Sequence, residues 1–178
     1  MKASQLPYYQ IPDYPETYTA GSVAARMVDG LGFRYYWATE GLRDLDLQYK
    51  PSEEGRTCAQ TIDHIYGLSN VILNTTKKRI NDFTIKSPTL SYEEKRQKTL
   101  ENLKQASEIL KEAGADEMKN FIIIFKGNSG TSEHPFWNNI NGPIADAIWH
   151  CGQVVLLRRA SGNPFNSKAS VFSGKLRE

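Results

Sequence analysis

Four long stretches of this chain repeat apolar residues at steps of three and four, the spacing of helices that each bury one face. In the first, 22–43, Val23, Met27, Leu31, Tyr35, Ala38 and Leu42 share a stripe. In the second, 57–81, the stripe is Thr61, His64, Leu68 and Val71, broadened by Ile62, Ile65 and Ile72. The third opens at Ser91-Tyr92-Glu93-Glu94, a capping box in which serine and glutamate satisfy the free backbone donors of a helix start. It runs to Lys111 with Leu100, Leu103 and Leu110 inward, and Gly114 stops it. The fourth opens at Gly142-Pro143, where a proline suits the first turn, and ends at Ser161-Gly162-Asn163-Pro164. Its stripe is Ala147, His150, Val154 and Leu157, with Asp146 on the border. The expectation is an all-α fold, a four-helix bundle with an irregular or short extended segment between helices three and four. Residues 121–125, short, apolar and β-branched, supply that segment.

The 178 residues suit a single domain. Residues 1–20 read as an arm laid over the core, 22–164 as the helical core, 44–55 as a loop and 165–178 as a tail, mobile over 167–178. With 39% hydrophobic and 24% charged residues the composition is that of an ordinary globular protein, and a net charge of +2 does not by itself imply a polyanionic partner. The basic excess over 77–104 lacks interleaved aromatics and reads as a solvated surface, so no nucleic acid is expected. No apolar run reaches membrane-spanning length, and the proline-punctuated start lacks the order of an export signal. No membrane is expected, and the cytoplasm is the expected compartment. Cys58 and Cys151 read as small buried thiols.

The chemistry-bearing residues are His64 on the second helix and the pair Asp146 and His150 on the fourth. Residues four apart on a helix point the same way, so Asp146 and His150 can aim a carboxylate and an imidazole at one point. If His64 reaches that point, two imidazoles and one carboxylate offer a divalent metal three ligands with positions left for water or substrate. Spacing leaves two rivals open. A carboxylate on an inner helix edge must offset its desolvation, and Arg34 on the first helix can serve as its cation. A simple His–Asp hydrogen bond is the other. Gln153, one turn beyond His150, is placed to orient a ligand. Trp37 and Glu40 are placed to line an opening, His134 reads as a turn residue, and Trp149 as core.

A histidine midway along the second helix, then a fourth helix carrying Asp146 and His150, followed by Gly152-Gln153 and ending in Gly162-Asn163-Pro164, resembles the DinB-like superfamily over 22–164. The resemblance implies a four-helix bundle with crossed connectivity and a divalent metal such as zinc, nickel, iron or manganese. In that family the ligands are a histidine on helix two and a His-x-x-x-His pair on helix four. His64 stands at the first of these positions, His150 at the last, and Asp146 where the family has a histidine. The same resemblance implies a metal-dependent transferase or hydrolase of unknown substrate, a low-molecular-weight thiol as partner, and a homodimer. The alternative from the residues is a metal-free helical bundle that binds a small ligand or a partner protein.

Overall fold

The computed structural model describes residues 6–178, so residues 1–5 of the expected arm lie outside the described residues. Four long helices are present: α1 (Ala20–Thr39), α3 (Cys58–Thr76), α4 (Tyr92–Glu112) and α7 (Ala145–Ala160). Three of them begin at reciprocal side-chain caps. Thr19 and Ser22 cap α1, Thr57 and Gln60 cap α3, and Ser91 and Glu94 cap α4. Helix α1 packs on α4 and α7, and α3 packs on the same two. The first two long helices therefore face each other across a diagonal, with their chain-later partners between them. Ile62, Ile65, Ile72, Leu100, Leu103, Leu110, Ala147 and Val154 fill the shared interior.

The chain is mostly helical but carries strands. Helix α3 ends at Thr76, before the expected 81, because Lys78 takes a left-handed backbone (φ 55°) and Ile80–Asp82 leaves as β1. Strand β1 lies parallel to β2 (Ile123–Gly127), which pairs antiparallel with β3 (Gly130–His134). The expected extended segment, 121–125, thus overlaps the central strand of a three-stranded sheet, which starts two residues later. The expected loop 44–55 contains a short helix, α2 (Asp44–Gln48), and another, α5 (Ala115–Met118), follows α4.

The fourth helix also begins earlier than its proline suggests. Helix α6 (Phe136–Asn139), a π-helical turn (Ile140–Ile144) and α7 form one continuous helical run, with Pro143 inside it. A regular α-helix would drive the proline ring into the carbonyl four residues back. The wider π turn relieves that collision, and it ends two residues before Asp146. The run stops where Gly162 takes φ 82°, a left-handed conformation that glycine adopts without strain.

Helix α1 is buried nearly all round from Val28 to Thr39, not along one stripe, and Val23 is half exposed. The arm covers its outer face. Tyr8 is buried against Gly32, where a Cβ would collide with the tyrosine ring, and its hydroxyl donates to Asp29 at 3.0 Å. Trp37 Nε1 donates to the Tyr9 carbonyl at 3.1 Å. The tail expected to be mobile forms a second small sheet, β4 (Ala169–Ser170) with β5 (Lys175–Leu176), and Ile11 N donates to Gly174 O at 2.8 Å. Arm and tail thus pair with each other. Among the described residues no helix is long and apolar enough to cross a membrane.

Candidate metal centre

Asp146 lies just past the π turn, at the second residue of α7, and His150 follows one turn later on the same face. Helix α3 presents His64 to that face from a position 82 residues earlier in the chain. His64 Nε2 lies 2.9 Å from Asp146 Oδ2, and His150 Nε2 lies 3.3 Å from Asp146 Oδ1. The imidazole rings meet edge to face, with centroids 4.5 Å apart. One ligand atom from each residue lies within 4.8 Å of the others, a group that could hold a metal ion. The three sit on the rim of the helical core. The side chains of His64 and Asp146 are 36% and 34% exposed and that of His150 only 13%.

The hydrogen bonding of the site bears on what it fits. His150 Nδ1 lies 2.7 Å from Gln153 Oε1; a carbonyl oxygen only accepts, so with the amide in this orientation the contact is satisfied by a proton on Nδ1. In the neutral ring Nε2 is then a bare acceptor pointed at a carboxylate oxygen. Two acceptors at that distance repel unless a second ring proton or a cation stands between them. A divalent metal removes the conflict and uses the tautomer that Gln153 already sets. Two imidazole nitrogens and a carboxylate oxygen are donors suited to zinc, iron, manganese or nickel.

Arg34 does not supply the counter-charge. Its Nη1 donates to Gly30 O at 2.9 Å on its own helix. The His–Asp hydrogen bond forms, at 2.9 Å, as part of the three-residue group. Trp149 is not core; it is 71% exposed beside the site. Trp37 is buried, Glu40 pairs with Arg96, and His134 ends β3 opposite Ile123. The thiols of Cys58 and Cys151 are free and buried, which pushes them up to about 11 and about 12, so neither is a ready nucleophile.

Two aromatic residues that no helical pattern marks also border the site. Phe83 and Phe125 stack at 5.7 Å, and with Asp146, His64 and Trp149 they border one cavity. Phe83 follows a strand that the helical pattern had absorbed, so no periodicity signalled it. Compared with known proteins, the chain matches no family model, no curated protein and no solved structure.

Proposed function

We propose that the chain is a divalent-metal-dependent enzyme of the DinB-like superfamily, a four-helix bundle whose metal is held by His64, Asp146 and His150. The observation that carries this reading is the convergence of one carboxylate and two Nε2 atoms from helices far apart in sequence. The diagonal placement of the first two long helices supports it, because the family resemblance implies a crossed connectivity. Bound there, a divalent metal supplies Lewis-acid polarisation of a substrate oxygen or a more acidic ligand proton. The chain's own residues do the rest. Gln153 holds the His150 ring with Nε2 outward, Asp146 sets the local negative charge, and the half-exposed His64 edge leaves room for a substrate to approach. The reaction class in this reading is transfer or hydrolysis, with a low-molecular-weight thiol as candidate partner and a homodimer as the assembly.

Metal analysis of the purified protein, titrated with zinc, nickel, iron(II) or manganese, tests the reading. Close to one equivalent of a divalent metal is expected in wild type, with His64→Ala and His150→Ala each reduced to background. Equal trace metal in all three would refute it. A second reading, apolar-ligand binding without metal, is favoured by a separate cavity of about 620 Å³ lined by Val23, Met27, Met118 and Trp137. Under that reading a chelator leaves the melting temperature unchanged. Under the metal reading the chelator lowers it, because an ion bound only to the folded state stabilises that state.

A further inference from the structure

The surroundings of the three ligating side chains are unequal. On one side, Asp146 and His64 form the edge of a cavity of about 680 Å³ whose other walls are largely apolar. Phe83 and Phe125 stack there with their rings inclined by 25°, Leu68 of α3 and Trp149 of α7 border the same space, and Trp149 directly precedes His150. Phe83 is 67% exposed, comparable with Trp149. Two large exposed rings bordering one cavity form an apolar patch directly beside the ligating group.

The aromatic wall is also fixed in place. Phe83 N donates to Lys126 O at 2.9 Å, continuing the β1–β2 ladder past the register pair Asp82–Lys126. The Lys126 ammonium meets Asp82 at 2.8 Å across the same two strands. That hydrogen bond and the neighbouring ion pair tie Phe83 to β2, and its stacking on Phe125 sets the ring beside the cavity. The acidic side chains bordering this cavity are Asp63 and Asp146, and Asp63 is paired with Lys95 at 2.6 Å. Among the described residues no lysine or arginine lines the space to hold a phosphate or a distal carboxylate.

We infer that this cavity takes the uncharged apolar body, aryl or alkyl-aryl, of a ligand whose small anionic head reaches the metal between His64, Asp146 and His150. The inference rests on the metal reading, since the metal is the cation that receives the head. Phe83, Phe125 and Trp149 are then specificity-determining residues. They select for the ring, and the metal selects for the head. The volume admits a body larger than a single phenyl ring, and the negative edge disfavours bodies that carry further anionic groups.

The test uses the full chain loaded with zinc and two probes that share one metal-binding head, acetohydroxamate and benzohydroxamate, with affinities read by calorimetry. Benzohydroxamate is expected to bind about 30-fold more tightly, the amount that burying a ring from water provides. In the double variant Phe83→Ala, Trp149→Ala the ratio is expected to fall below about threefold, with zinc stoichiometry and acetohydroxamate affinity unchanged. Both rings are exposed, so folding survives their removal, and a thermal melt verifies it. Equal affinities on zinc-loaded wild type overturn the inference and leave the metal reading standing. Failure to retain zinc overturns both. An unchanged ratio in the double variant, accompanied by a dimer-to-monomer shift in sedimentation, also overturns it and assigns the rings to a second copy of the chain.

Discussion

Asp146 offers its two oxygens to two different imidazoles, and with the His150 proton on Nδ1 its Nε2 faces a carboxylate oxygen, a contact that a metal ion or a second ring proton satisfies. That detail depends on Gln153, which fixes the proton on the far nitrogen. Gln153→Leu keeps the size of the side chain and frees the ring, so metal affinity should fall about 10- to 100-fold. Competition against a chromophoric chelator measures this, and the metal-free melting temperature should hardly move. The chemistry-bearing residues were legible in the sequence because helical spacing fixes which side chains share a face. Burial was less legible. His64 belonged to an apolar stripe yet stands at its edge, and Trp149 stands outside it, because a stripe gives direction around a helix but not the distance to the next element. Arg158 carries no signal in the sequence. It is buried and donates to the carbonyls of Trp37, Ala38 and Glu40, closing the end of α1. A cation at a helix C-terminus leaves no periodic trace in the sequence.

Caps and stops carried most of the element-level information. The Ser91–Glu94 box and the Gly162 stop act through local hydrogen bonds and local backbone angles, so the residues alone reveal them. The π turn around Pro143 and the strand at 80–82 were hidden, because each depends on partners remote in the chain. The arm illustrates the same point. Its docking needs a glycine on α1 that a helical pattern treats as a mere weak position. Gly32→Ala forces a Cβ into the Tyr8 ring and should cost about 2 kcal/mol by displacing or straining that contact. A lowered denaturant midpoint with an unchanged slope checks it. Tyr8→Ala in the Gly32→Ala background should cost less than in wild type, since the two changes act on one contact.

Across the whole molecule, the short helix α2 and the strand pair β1–β2 are held by ionised groups as well as by apolar packing. Asp46 is buried; the Arg43 guanidinium, then Ser161 Oγ, the Arg43 amide and Asn163 Nδ2, hold its carboxyl well below the usual carboxylate range. Asp82, bonded first to Lys126 and then to Thr84, is lowered to about 2. Both are depressed in the folded state, so the unfolded chain takes up protons more readily and the stabilisation is complete above the ordinary aspartate range. Stability should therefore hold above about pH 5 and fall steadily as pH drops through about 4 toward 2. Thermal melts across that window measure the loss, and Asp46→Asn should flatten it. The helical character of the chain was legible as a sum of local patterns. The small sheets and the seal between arm and tail were not, because short strands acquire stability only from neighbours. The central claim, that His64, Asp146 and His150 hold a divalent ion, is tested most directly by an anomalous difference map from crystals grown with zinc. The account predicts a peak about 2.0–2.2 Å from both Nε2 atoms and from an Asp146 oxygen. Zinc-replete crystals with no peak there, or with the ion bound only elsewhere, would contradict it.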